Sequence, residues 1–113
     1  MIKRGDVYYA DLDPVRGSEQ GGTRPVLVVQ NDLGNKYSST TIVVAAVSTR
    51  EAKTLPTHVE ISLPQKSTVL LEQIRTIDKK RLMEKICTLS RREIEKVNEA
   101  LKVSLGLKEE VLA

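Results

Sequence analysis

Six short aliphatic segments, followed by one change of hydrophobic period, constrain the fold of this chain most. The segments are rich in β-branched residues and are separated by turn-forming residues, which predicts six strands at 7–12, 25–30, 41–47, 57–63, 68–77 and 85–89. From residue 90 onward, apolar residues recur at helical spacing instead. The pattern predicts a mainly β (α+β) fold, in which five to six antiparallel strands form a strongly curved sheet or small barrel with a C-terminal helix over one opening.

The terminal helix carries its own start and stop signals. Ser90 and Glu93 have the spacing of a capping box, and Gly106 is suited to the C-terminal cap. The predicted apolar stripe consists of Ile94, Val97, Leu101 and Leu105. In contrast, residues 31–35 (Asn, Asp, Leu, Gly and Asn) predict a turn or loop.

Length and composition narrow the class of protein. The chain has 113 residues, which fits a single domain over 1–113 with a modest core. A formal net charge of +3 permits an anionic partner without requiring one. The chain has no Trp or Phe and only three Tyr, so the core must be aliphatic and a broad aromatic platform for stacking bases is excluded.

Cysteine and histidine content argues against several kinds of chemistry. The single cysteine, Cys87, excludes an internal disulfide and is expected to be a small core thiol. The single histidine, His58, alternates with Glu60 along one strand, and we expect both on a solvent-facing surface. No metal or other cofactor is therefore expected.

The N-terminal residues lack the apolar core of a signal peptide and no apolar segment is long enough to span a membrane, which predicts a cytoplasmic protein.

A glycine-rich loop at 17–25 places one arginine where the loop meets the second strand. Gly21 and Gly22 allow a tight turn or a close approach to a ligand, and Pro25 biases Arg24 towards an extended backbone. A guanidinium held in this way is suited to bidentate contact with a phosphate. The alternative is a hairpin connection with a solvated arginine.

Polar groups also interrupt two other strands. Ser48 and Thr49 close the third strand, where they are either functional hydroxyls or a turn that binds its own backbone. Glu72, Gln73 and Arg75 interrupt the fifth strand and are either ligand-binding groups or a solvated surface with an ion pair.

Taken together, these motifs resemble the MazF/PemK family of toxin endoribonucleases over nearly the full chain, most closely the branch of Gram-positive bacteria often called EndoA. The element Gly-Ser-Glu-Gln-Gly-x-x-Arg-Pro, after a Gly-Asp-Val strand, is the most specific part. The matching segments are 4–8, 17–26, 55–59 and 71–77. The segment 63–67 is shorter than the corresponding loop expected from relatives, so the cleaved RNA motif is expected to differ.

The resemblance implies an SH3-like small barrel that acts as a homodimer. It implies metal-independent cleavage of single-stranded RNA at short sequence motifs, with 2′,3′-cyclic phosphate and 5′-hydroxyl products. The family's catalytic arginine falls on Arg24, and its catalytic threonine falls on Ser48 or, alternatively, Thr49. Arginine normally keeps its proton, so the general base stays open, with Glu19 as a candidate that orients Arg24 or accepts the proton itself.

Substrate and partners follow from the same resemblance. The expected RNA-binding residues are Gln20, Thr23, Glu72, Gln73 and Arg75. The expected partner is a MazE-like antitoxin with an acidic, extended C-terminal tail. Two alternatives are a gyrase-binding toxin of the CcdB kind, whose determinant would lie in the C-terminal helix, and a non-catalytic SH3-like binding module.

Overall fold

The computed structural model describes residues 1–13 and 21–109. Its six strands form one antiparallel, curled sheet in the order β4-β5-β3-β2-β1-β6. The elements are β1 (Asp6–Asp11), β2 (Thr23–Val28), α1 (Asp32–Tyr37), β3 (Thr41–Ser48), β4 (His58–Ser62), β5 (Lys66–Asp78), a 3-10 turn (Lys79–Arg81), β6 (Leu82–Thr88) and α2 (Arg91–Ser104). This half-barrel with its C-terminal helix confirms the predicted fold class. No helix of the described residues is long and apolar enough to cross a membrane.

The two faces of the sheet bury two separate apolar clusters. One cluster, which includes Leu27 and Val47, packs under α2 where that helix contacts β4 and β5. The other cluster, which includes Val26, Val28 and Val44, fills the opposite face towards β1 and β6. Because successive strand residues point to opposite faces, β2 and β3 are buried on both sides, which explains their unbroken aliphatic sequence.

Both ends of α2 are capped as predicted. The Ser90 hydroxyl accepts from the Glu93 backbone N–H at 3.2 Å, and the Glu93 carboxylate accepts from the Ser90 backbone N–H at 2.9 Å. Gly106, with φ +73°, ends the helix while the Leu107 N–H donates to the Lys102 carbonyl at 2.7 Å, as in a Schellman motif. Leu105 departs from the predicted stripe: it lies at the helix end and is 61% exposed.

Replacing Ser90 with alanine is expected to lower the free energy of unfolding by about 1 kcal/mol, because one helix N–H loses its acceptor. Urea unfolding followed by circular dichroism measures the effect, and Ser90→Asp, which keeps an acceptor oxygen, is the matched control. An unfolding midpoint equal to that of the wild type would contradict this assignment of the cap.

The predicted turn at 31–35 is wrong, because the segment begins the short helix α1. Asn31 is its N-cap and accepts from the Gly34 N–H at 2.7 Å. The buried Asn35 side chain donates to the Gln30 carbonyl at 3.0 Å, and the Lys79 ammonium donates to the Asn35 carbonyl at 3.0 Å. Tertiary contacts therefore stabilise a helix that the local Asn and Gly content disfavours.

The sixth strand also begins earlier than predicted, at Leu82, because it pairs with β1 at the sheet edge.

Candidate active site

Strand register brings Arg24 and Ser48 to one face of the sheet. Arg24 pairs with Ala10 of β1, and Val26 pairs with Ala46 of β3. Continuing the β2–β3 register by two residues places Arg24 opposite Ser48. Residues opposite each other on antiparallel strands project from the same face, with Cβ atoms roughly 4.5–5.5 Å apart. The face is the one turned away from α2, just beyond the end of the apolar cluster around Val26.

Arg24 is half-buried, and the backbone of Gly21, just before β2, holds its side chain. Its Nε donates to the Gly21 carbonyl at 3.1 Å. Within residues 1–13 and 21–109, this is the only hydrogen bond of the guanidinium. No residue of these ranges forms a hydrogen bond with the Nη edge of the fork, whose planar geometry suits bidentate contact with a phosphate.

The two candidate hydroxyls at the end of β3 differ in position. Ser48 is the last residue of β3 and is half-buried; its Oγ accepts from the Arg50 N–H at 3.2 Å and lies 3.4 Å from the Arg50 carbonyl. Thr49 lies beyond the strand and is exposed. Ser48 thus makes the local backbone contacts expected of a turn, and the continued register places it on the same face of the sheet as Arg24.

Two residues that the sequence analysis did not single out, Thr68 and Glu60, continue the line of Arg24 and Ser48 across the sheet. These four residues are called the Arg24–Ser48 row. Ser48 pairs with Thr68 of β5, and Thr68 pairs with Glu60 of β4. Glu60 forms an exposed ion pair with Lys66 at 3.3 Å. The row could not be predicted because an irregularity in β5, between the partners of Ala45 and Ala46, sets its register.

His58 and Glu72 form a pair on the same face. His58 Nε2 lies 2.9 Å from a Glu72 carboxylate oxygen, Nδ1 lies 2.6 Å from the Lys53 carbonyl, and Thr57 Oγ1 donates to Glu72 at 2.9 Å. Burial alone would raise the pKa of Glu72, but the hydrogen bonds from His58 and Thr57 outweigh it and lower that pKa. The expectation of a surface imidazole beside Glu60 is wrong, because the His58 side chain is only 10% exposed and contacts Glu72.

The other predicted RNA-binding residues are spread over the sheet. Thr23 is exposed at the start of β2 and pairs with Asp11. Arg75 is half-buried and pairs with Val44, four residues along β3 from Ser48 and so roughly 13 Å away. Gln73 is half-buried in the irregular part of β5. Glu19 and Gln20 lie outside the described residues.

Cys87 and the acidic side chains were the remaining candidates for a metal site or a reactive thiol. Cys87 is half-buried, and burial raises the pKa of its thiol, which agrees with the expected core role. Among residues 1–13 and 21–109, no three His, Cys, Asp or Glu side chains are grouped closely enough to hold a metal ion.

Several solved structures are similar to this fold over nearly its whole length. An endoribonuclease in complex with its cognate antitoxin, from a mycobacterial species, is 28% identical with a TM-score of 0.82, and the match covers 97% of this chain and 100% of that one. MazF (Form-I) from Deinococcus radiodurans is 26% identical with a TM-score of 0.78, covering 93% and 96%. MazE-MazF (Form-II) from the same organism is 26% identical with a TM-score of 0.76, covering 95% and 97%.

A family model gives the assignment directly. Residues 3–105 match the model described as a PemK-like, MazF-like toxin of type II toxin-antitoxin systems. The match spans β1 to α2 and includes Arg24 and Ser48. It agrees with the motifs and with the fold, although the Gram-positive branch stays a prediction. The chain therefore belongs to the PemK-like, MazF-like family of type II toxins.

Proposed function

We propose that this protein is the toxin of a type II toxin-antitoxin pair and acts as a metal-independent endoribonuclease. Its substrate is single-stranded RNA, chiefly mRNA, cut at short sequence motifs to leave 2′,3′-cyclic phosphate and 5′-hydroxyl ends. Loss of mRNA would inhibit translation and growth in the cytoplasm. The observation that carries the proposal is the placement of Arg24 opposite Ser48 on one face of the sheet, in a chain of this family.

The reaction needs no external nucleophile. The 2′-oxygen forms a bond to phosphorus, the bond to the 5′-oxygen breaks, one proton leaves the 2′-hydroxyl, and one proton is delivered to the 5′-oxygen. Negative charge builds up on the phosphoryl oxygens between these events. The Arg24 guanidinium supplies fixed donors for that charge, and the Ser48 hydroxyl adds one more.

The group that accepts the 2′-hydroxyl proton is proposed by elimination. Arginine side chains normally keep their proton, so Arg24 is the electrostatic donor to the phosphoryl oxygens rather than the base. The proton that the 5′-oxygen receives then comes from water or from the protonated base. Glu19 precedes Arg24 in the same loop and is the carboxylate that we propose either accepts the 2′-hydroxyl proton or orients the guanidinium. A Glu19→Gln variant separates these roles, because loss of a base removes the acidic limb of the pH–rate profile, whereas loss of an orienting contact lowers the rate at every pH.

The exposed face around the Arg24–Ser48 row is the proposed RNA track. Thr23 and Gln20 precede Arg24 closely in sequence. Gln73 and Glu72 offer groups that read base edges, and Arg75 offers a charge for phosphate. Glu72 is already held by His58 and Thr57, so we propose that it reads a base only through an oxygen lone pair left over from those contacts. A groove between the subunits of a homodimer would lengthen the track.

The purified protein, incubated with RNA in EDTA, tests the proposal. We expect cleavage at a short recurring motif, with new 5′-hydroxyl ends and 2′,3′-cyclic phosphates. Sequencing of ligated 5′-hydroxyl ends identifies both the motif and the chemistry. Absence of cleavage, together with binding to gyrase, would favour the CcdB-like alternative instead.

Replacing Ser48 with alanine is expected to lower the single-turnover cleavage rate by roughly one to three orders of magnitude, as for loss of one transition-state donor. Ser48→Thr keeps the hydroxyl and is expected to retain most of the rate. Thr49→Ala is expected to have a smaller effect, because Thr49 lies beyond the strand. A larger loss for Thr49→Ala than for Ser48→Ala would move the catalytic hydroxyl by one residue.

The antitoxin is expected to compete with RNA for the toxin. The toxin is net basic, so a segment that replaces RNA should be acidic, and a shallow face suits a long, extended tail that orders on binding. Fluorescence anisotropy with an uncleavable 2′-O-methyl RNA measures displacement by the antitoxin tail, and the affinity of the tail should fall as salt rises. A stable ternary complex of toxin, antitoxin and RNA would rule out inhibition by occupancy.

A further inference from the structure

A group of hydrogen bonds joins Leu12 and Asp13 to Gly22, two residues before Arg24. The Leu12 N–H donates to the Gly22 carbonyl at 2.9 Å, and the Gly22 N–H donates to the Asp13 carboxylate at 2.9 Å. Gly22 has φ +73°, a conformation that side-chain-bearing residues rarely adopt. Both the N–H and the carbonyl of Gly22 therefore have hydrogen-bond partners, and the partner of the N–H is a side chain.

The end of β1 is also held by a third element, the 3-10 turn. Arg81, in the 3-10 turn before β6, donates through Nη1 to the Asp11 carbonyl at 2.9 Å and to the Asp13 carbonyl. The partners are 70 and 68 positions away in the chain. The guanidinium thus anchors the end of β1 at the point where the chain leaves the sheet.

These contacts lead directly to the candidate catalytic arginine. Gly21 adjoins Gly22, and its carbonyl accepts from Arg24 Nε at 3.1 Å. We propose that Asp13 and Arg81 are positioning residues, which hold the Gly22–Gly21 backbone so that the Gly21 carbonyl aims the Arg24 guanidinium across the sheet at the Ser48 side. The effect on cleavage rests on the proposed function; the effect on the Arg24 side chain does not.

Positioning of this kind affects the chemical step rather than substrate binding. A misplacement of about 1 Å in a catalytic group can lower a rate by roughly 10²-fold. A long arginine side chain has several rotatable bonds, so without a fixed acceptor at Nε its guanidinium samples many positions. Asp13 gives an especially clear test, because it is a negative charge near the proposed RNA track. Its removal should help RNA binding electrostatically, whereas a positioning role requires that cleavage become slower.

Four variants separate positioning from charge. Asp13→Ala removes the acceptor for the Gly22 N–H, while Asp13→Asn removes the charge and keeps an acceptor oxygen. Arg81→Ala removes the anchor, and Lys80→Ala removes an equal charge from an exposed neighbour whose side chain takes no part in these hydrogen bonds. We expect Asp13→Ala and Arg81→Ala to lower the single-turnover rate at saturating toxin by roughly 10- to 100-fold, and Asp13→Asn and Lys80→Ala to keep it.

Binding of an uncleavable 2′-O-methyl RNA is measured on the same variants. We expect Asp13→Ala to bind as tightly as wild type or more tightly, despite its slower cleavage. A dissociation constant for Arg81→Ala that rises enough to explain its whole loss of activity would overturn the proposal for Arg81 and would assign it a phosphate contact, with a correspondingly smaller salt dependence.

A readout independent of activity completes the test. In protein labelled with ¹⁵N-arginine, the Nε–H resonance of Arg24 is assigned by its absence in Arg24→Lys. We expect its exchange with water to be slow in wild type and Asp13→Asn, and faster in Asp13→Ala and Arg81→Ala. Unchanged exchange in both alanine variants would overturn the proposal. If wild type cleaves no RNA, the proposed function fails, and this measurement still decides whether Asp13 and Arg81 position Arg24.

Discussion

Replacing Arg24 with alanine is expected to abolish RNA cleavage while the fold is retained. Arg24 is the cation that precedes the apolar part of β2, and the β2–β3 register, continued by two residues, places it opposite Ser48. Loss of one donor to a transition-state charge typically costs 10²–10³-fold in rate, and Arg24 carries a full charge and a two-pronged fork in addition. A drop to background is therefore expected. Single-turnover cleavage and thermal melting are to be measured on the same preparation.

A lysine at the same position is the matched control. Arg24→Lys keeps one positive charge but loses both the planar fork and the Nε contact to Gly21. We expect a rate between that of wild type and that of Arg24→Ala. The melting temperature of both variants should stay close to wild type, since Arg24 lies outside the two apolar clusters. Near-wild-type cleavage by Arg24→Ala would remove this residue from the active site.

The second large effect concerns the substrate rather than the protein. An RNA with a single 2′-deoxy or 2′-O-methyl nucleotide on the 5′ side of the cleaved bond is expected to bind and to remain uncut. The 2′-oxygen is the proposed nucleophile, and its replacement removes the attacking group without removing the phosphates or base edges that the protein contacts. The dissociation constant and the cleavage rate are measured side by side.

Two controls show whether the loss of cleavage is due to the missing 2′-hydroxyl. The same modification placed one nucleotide away should leave cleavage intact, which shows that the loss is chemical and not a consequence of altered binding. Cleavage of the unmodified RNA should also be the same in EDTA as in magnesium. Efficient cleavage of the modified nucleotide, or a strict need for added metal, would replace the cyclic-phosphate mechanism with attack by an activated water.

Local sequence was sufficient for most of the elements. The alternating or aliphatic runs predicted all six strands, and the Ser90–Glu93 capping box and Gly106 predicted both ends of α2. These signals lie within one turn or one strand, and so they depend on neighbours close in the chain. The same is true of the Arg24 junction, where Gly21, Gly22 and Pro25 are adjacent. The motifs also sufficed to place the chain in its family.

Tertiary structure decided which of these residues meet. Helix α1 forms at a turn-like sequence because Lys79, from outside the segment, donates to the Asn35 carbonyl, and because the buried Asn35 side chain donates to the Gln30 carbonyl. His58 contacts Glu72 rather than Glu60, because β4 pairs with β5 so that His58 lies opposite Leu70, two residues from Glu72. Such pairings depend on strand register, and register is fixed by burying two apolar clusters at once.

The proposed catalytic arrangement also depends on tertiary structure. The sequence alone identified Arg24 and Ser48 as candidates, but their opposition follows from the β2–β3 register. The contacts of Arg81 with the end of β1 join residues 68 and 70 positions apart, and no local pattern indicates them. Short-range preferences act on the backbone of a few residues, whereas cross-strand contacts exist only after the whole sheet has packed.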